Sequence, residues 1–120
     1  MPHLTDSEVD QYQREGYLIP RLRLPEQRIA PLRESLDRLL HDNPGVRPEK
    51  LVSAHFAGAN GTANSDGVRG SRDFLDLAMD SDIVDLVAEV IGPNIILWGC
   101  HVFCKPAQEG FETPWHQDGH

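Results

Sequence analysis

Ten residues, Ile95-Ile96-Leu97-Trp98-Gly99-Cys100-His101-Val102-Phe103-Cys104, restrict this chain more than any other stretch. They include no Asp, Glu, Lys or Arg, are rich in β-branched and aromatic side chains, and hold one breaker, Gly99. The run predicts a strand, and its continuous apolar character predicts a central one, covered on both faces. Covering both faces takes neighbours on either side. The chain has 120 residues, which is one small domain with no room for a second core.

Charge and patterning exclude several classes. With 11 Lys+Arg against 19 Asp+Glu the formal charge is −8, and no basic run is present, which argues against nucleic acid as a partner. No window approaches the roughly 20 apolar residues of a membrane span. The opening Met1-Pro2-His3-Leu4-Thr5-Asp6 has neither the basic nor the apolar region of a secretory signal. Cys100 and Cys104, four apart on a strand, would stand about 13 Å from each other, too far for a disulfide. They read as small apolar residues in a reducing, cytoplasmic setting.

Local signals place the remaining elements. Thr5-Asp6-Ser7-Glu8 has capping-box spacing, so a short helix is expected to run to about Glu15 and stop at Gly16. Tyr17-Leu18-Ile19 reads as a brief strand ended by Pro20. Ile29, Leu32, Leu36, Leu39 and Leu40 trace one helical face. Either the helix begins near Pro31, or one from Pro25 is kinked there, and the single kinked element is the preferred reading. Asn43-Pro44-Gly45 closes it. Leu51 to Phe56 is a candidate strand. The stretch Ala57 to Gly67 is small, polar and aperiodic, a long loop that is either a mobile surface loop or a lid. Ser71 caps a helix through Phe74 and Ala78, Asp80 restarts one through Ile83 to Ile91, and Gly92-Pro93 ends it.

The chemistry-bearing cluster is Thr113-Pro114-Trp115-His116-Gln117-Asp118-Gly119-His120. Strand residues two apart share a face at about 6.5 Å, so His116 and Asp118 can aim an imidazole nitrogen and a carboxylate oxygen at one metal ion. A third ligand from elsewhere would complete the facial triad of non-haem Fe(II) oxygenases. His120 is a poor local third ligand, because a straight strand puts it about 13 Å from His116, although a turn at Gly119 could bring it closer. Alone, a His-x-Asp triplet is more often a surface hydrogen-bonding pair than a ligand pair.

The surrounding residues raise the metal reading. Leu4-Thr5-Asp6-Ser7-Glu8-Val9, then Glu15-Gly16-Tyr17-Leu18-Ile19-Pro20, resembles the opening of phytanoyl-CoA dioxygenase-like proteins. The resemblance continues through Leu24-Pro25-Glu26, Leu36-Asp37-Arg38-Leu39-Leu40, Val90-Ile91-Gly92-Pro93-Asn94-Ile95 and Lys105-Pro106. It ends in Pro114-Trp115-His116-Gln117-Asp118-Gly119, while 46–69 does not match clearly.

The resemblance implies an Fe(II)- and 2-oxoglutarate-dependent oxygenase on a double-stranded β-helix, a cupin-like jelly roll with N-terminal helices. Residues 1–120 would form the N-terminal part of that single domain. It implies that His116 and Asp118 are the first two iron ligands. His101, four residues before Lys105-Pro106, stands where related enzymes help bind 2-oxoglutarate; the competing reading is a strand histidine bonded to a neighbour. Family members also need a distal His and an Arg that lie beyond residue 120, so the chain is expected to be part of a longer protein. Small-molecule substrate and O₂ are the expected partners, with 2-oxoglutarate decarboxylated to succinate as the substrate is oxidised. A carboxylate at position 118 disfavours halogenation. The alternative is a non-catalytic binding or accessory fragment of the same fold. Neither the substrate nor the oligomeric state is legible.

Overall fold

The structure is a computed structural model that describes residues 3–119. Four helices carry its regular secondary structure: α1 (Asp6–Glu15), α2 (Glu26–Asp42), α3 (Arg72–Ala78) and α4 (Ser81–Ile91). Short 3₁₀ turns cover Pro48–Lys50 and Ala59–Gly61.

The helix ends follow their local chemistry. Thr5 and Glu8 form the reciprocal capping box, and Gly16 closes α1 in the left-handed region at φ 80°. Helix α2 is one element with Pro31 inside it. Ser71 and Asp80 accept the N–H groups of Asp73 and Asp82, capping α3 and α4. The glycine Gly92, at φ 89°, ends α4.

Two packing units result. Helix α1 lies on α4, where Leu86 is buried, and the Glu89 carboxylate accepts the Leu4 N–H at 2.7 Å. Helix α2 meets α3 over the main core of Leu39, Leu51, Ala54, Val68 and Phe74. Cys100 and Val102 pack on its rim. Arg28 of α2 is paired with Asp80 and Asp82 at the start of α4, which fastens the two units together.

The strand expectations are corrected. Among the described residues the ladder is reduced to one antiparallel bridge, Leu51 with Val102. Tyr17–Ile19 is irregular, and residues 52–55 form turns in place of a strand. From residue 100 the apolar run does lie beside 48–55. The Val102 N–H donates to Leu51 O at 3.0 Å, the Cys104 N–H to Pro48 O at 2.9 Å, and the Ala54 N–H to Cys100 O at 2.9 Å. Cys100, Val102 and Cys104 are half-buried, while His101, Phe103 and Lys105 face outward. The expectation that both faces of the run are covered fails, because Ile96 is 90% exposed and Trp98 96%. Burial takes a partner on each face, and these residues supply one.

The loop after Phe56 is tied down. Asn64 accepts from the N–H groups of Asp66 and Val68 and donates to the carbonyls of Ser53 and Phe56. Asn43, at the end of α2, bonds Leu39 O and both backbone groups of Arg69. Both shoulders of this loop are thus bonded to the rest of the molecule.

Candidate metal centre

The arm that carries His116 and Asp118 is anchored at its root. The Phe111 N–H donates to Glu49 Oε1 at 3.1 Å, and the Arg47 guanidinium lies over the Phe111 ring at 3.2 Å from its centroid. That N–H holds the Glu49 carboxyl below its ordinary range, with Arg47 adding to the effect. Beyond this anchor the chain has no regular secondary structure up to a turn at Asp118-Gly119, and Gly119 sits at φ 106°.

His116 and Asp118 lie side by side. Nε2 of His116 lies 3.3 Å from Asp118 Oδ1. Nδ1 of His116 is 2.8 Å from Pro114 O. A carbonyl oxygen can only accept, so Nδ1 carries a proton and the neutral ring presents its lone pair at Nε2. Two lone-pair atoms at this distance repel unless a cation stands between them, either a proton or a metal ion. Two donor atoms about 3.0 Å apart are what right-angled bonds of about 2.1 Å require, so the pair fits two neighbouring positions on one ion. The backbone carbonyl behind the imidazole is the usual second partner of a metal-binding histidine. Both side chains are open to solvent. His120 lies outside the described residues, and among those residues no group of three His, Cys, Asp or Glu gathers around one point.

His101 lies on the outward face of the apolar run. Its Nδ1 accepts the Ser53 N–H at 2.9 Å, from 48 residues away in sequence. The neutral ring therefore carries its proton on Nε2, a donor without a partner among the described residues and suited to a carboxylate. Gly99 borders that edge, where a Cβ would stand in contact at 3.4 Å from both Cε1 and Nε2. The structure thus gives His101 a neighbour bond and that donor at once.

Three residues of this neighbourhood were invisible to the sequence reading. His55 is buried and accepts the Cys100 N–H at Nδ1, 3.3 Å away, replacing a ladder bond where the strand pairing fails. Ser53 adopts φ 53°, in the left-handed region that side chains avoid. Asn64 holds the Ser53 carbonyl. These contacts cross 11 to 48 residues, and no periodicity or cap rule announces them.

The imidazole of His116 and the carboxylate of Asp118, with donor atoms 3.3 Å apart, make up the candidate site. The family of phytanoyl-CoA dioxygenase (PhyH) matches this chain over residues 12–120, and the chain belongs to that family. Its members are generally Fe(II)- and 2-oxoglutarate-dependent oxygenases. No curated protein and no solved structure matches the chain.

Proposed function

We propose that this chain is the N-terminal part of an Fe(II)- and 2-oxoglutarate-dependent oxygenase that oxidises a small molecule. The observation that carries the reading is the His116–Asp118 pair within a chain of this family, its donor atoms 3.3 Å apart and its imidazole proton turned away onto Pro114. In the proposal the third protein ligand, and the Arg that anchors the far carboxylate of 2-oxoglutarate, come from outside the described residues. So do the strands that complete a jelly roll against the exposed face of Ile96 and Trp98. A reducing, cytoplasmic setting is part of the reading, supported by two free cysteines, Cys100 and Cys104.

Each residue has a stated task. His116 and Asp118 would hold the iron, which when bound supplies the O₂ chemistry that side chains lack. Asp118 brings a negative charge that offsets the charge of the ion. Pro114 O fixes the His116 tautomer, so no rearrangement precedes binding. His101 donates from Nε2 to a carboxylate of 2-oxoglutarate, a charge-assisted bond. The substrate is a small molecule of unassigned class.

Asp118→Ala in the intact protein tests the site. The variant is expected to lose Fe(II) stoichiometry and to stop producing succinate from 2-oxoglutarate. Retained iron together with wild-type succinate would refute the assignment.

A further inference from the structure

A chain of hydrogen bonds leads from the pinned loop to His101. The Asn64 side-chain amide is used completely. Its Oδ1 accepts from Asp66 N–H at 2.9 Å and Val68 N–H at 3.1 Å, and its Nδ2 donates to Ser53 O at 3.0 Å and Phe56 O at 3.2 Å. Val68 is fully buried in the core, so the accepting half of Asn64 is fixed to the rigid part of the molecule. The donating half grips Ser53. Ser53 holds φ 53°, a conformation that costs a serine energy and persists when its surroundings determine it. From there its N–H points at His101 Nδ1, 2.9 Å away. Close approach of the two shoulders of the loop depends on Gly70, where a Cβ would fall 2.2 Å from Phe56 O. The Ser71 N–H donates to Ala54 O at 2.8 Å beside it. The segment from 53 to 56 is thereby held from the loop side, and His101 is held from that segment.

We propose that Asn64 is a positioning residue for 2-oxoglutarate: through Ser53 it fixes His101 as the Nε2–H tautomer and aims that donor away from the core. The inference rests on the reading of His101 as a 2-oxoglutarate contact and extends it to two residues with no ligand contact of their own. Asn64 acts by geometry. With its grip on Ser53 lost, the left-handed turn relaxes, the N–H leaves Nδ1, and the imidazole proton becomes free to sit on either nitrogen. A ring whose proton is on Nδ1 offers a carboxylate a lone pair and repels it.

Asn64→Asp separates the two halves of the amide. The carboxylate still accepts from Asp66 and Val68, which keeps the turn of the loop, and it cannot donate to Ser53. Nitrogen-15 spectra of the imidazoles report the tautomer of His101 directly. Anaerobic titration of 2-oxoglutarate into the Fe(II)-loaded intact protein reports affinity. The wild-type spectrum is expected to show the proton of His101 on Nε2. In Asn64→Asp that signature is expected to weaken, with affinity falling about three- to tenfold, the effect of one hydrogen bond. A wild-type His101 protonated at Nδ1 overturns the proposal without any variant. An unchanged tautomer in Asn64→Asp overturns it too, even if His101→Ala weakens 2-oxoglutarate binding and so leaves the assignment of His101 standing. If the tautomer shifts but His101→Ala binds 2-oxoglutarate normally, the assignment of His101 fails and takes the positioning role with it.

Discussion

His116 and Asp118 show how far a spacing rule reaches. Their donor atoms end 3.3 Å apart, but Asp118 reaches that distance from a turn, where the strand rule of alternate residues does not apply. The tautomer of His116 was not readable, because it depends on the Pro114 carbonyl turning back onto Nδ1. His101 is the harder case. Its role is proposed from the resemblance, while its partner, the Ser53 N–H, is 48 residues distant and follows from a left-handed turn that nothing local announces. The edge beside it yields a prediction. Gly99→Val puts branched carbon against the Nε2 side of the ring, where even a Cβ would stand 3.4 Å away. The affinity for 2-oxoglutarate is expected to drop about tenfold or more by titration, with Fe(II) stoichiometry unchanged, since His116 and Asp118 are both retained. Loss of iron binding in this variant would contradict the separation of the two roles.

Elements defined by their own ends were the legible ones. The Thr5–Glu8 box, Gly16, Ser71, Asp80 and Gly92 all act within four residues, and each does in the fold what its type predicts. The single helix through Pro31 follows from its apolar face, whose burial around Leu39 outweighs the one donor that proline lacks. Strands behaved otherwise, because a strand exists only in its partner: residues 51–56 and 95–104 hold β-forming side chains, yet meet at one bridge. Two variants measure the contrast between local and long-range support. Thr5→Ala removes an exposed cap and is expected to cost about 1 kcal/mol in urea denaturation. Asn43→Ala strips the bonds to Leu39 and Arg69 from a buried site, and is expected to cost about 2–3 kcal/mol. Equal costs would mean that the loop anchor adds nothing beyond a helix end.

The molecule as a whole is more expanded than a closed domain. Its radius of gyration is 16.3 Å, against about 14 Å for a closed domain of this length. Ile96, Trp98 and Trp115 stand in solvent at 90%, 96% and 104% exposure. No helix among the described residues is long and apolar enough to cross a membrane. Acid sensitivity is a property of the same scale, because carboxylates tie separate segments together. Asp73 is held below its ordinary 3.8, first by the Ser35 hydroxyl and then by Ser71 and Arg38. The carboxyls of Glu8, Glu49 and Glu89 are lowered from 4.5, first by the backbone N–H groups of Thr5, Phe111 and Leu4 respectively. A lowered folded pKa gives stability that is complete above the unfolded value and disappears as pH falls through the folded one. The denaturation midpoint is therefore expected to hold steady above about pH 5 and to decline below 4.5. Asp73→Asn is expected to lower the plateau and flatten part of that decline. An unaltered acid slope in Asp73→Asn would show that the α2–α3 carboxylate is not linked to folding.

Residues that act on near neighbours carried their own instructions. The four helices, their caps and the single α2 through Pro31 depend on backbone geometry repeated every 3.6 residues. That periodicity is written in the order of side chains. The left-handed Ser53, the grip of Asn64, the buried acceptor His55 and the exposure of Trp98 belong to another category. Each depends on which distant segment lies alongside, and the position of that segment is set by packing around Leu39, Leu51, Val68 and Phe74. A hydrogen bond between residues 48 apart has no trace in local order, because it forms only after the core has brought its two ends within 3 Å.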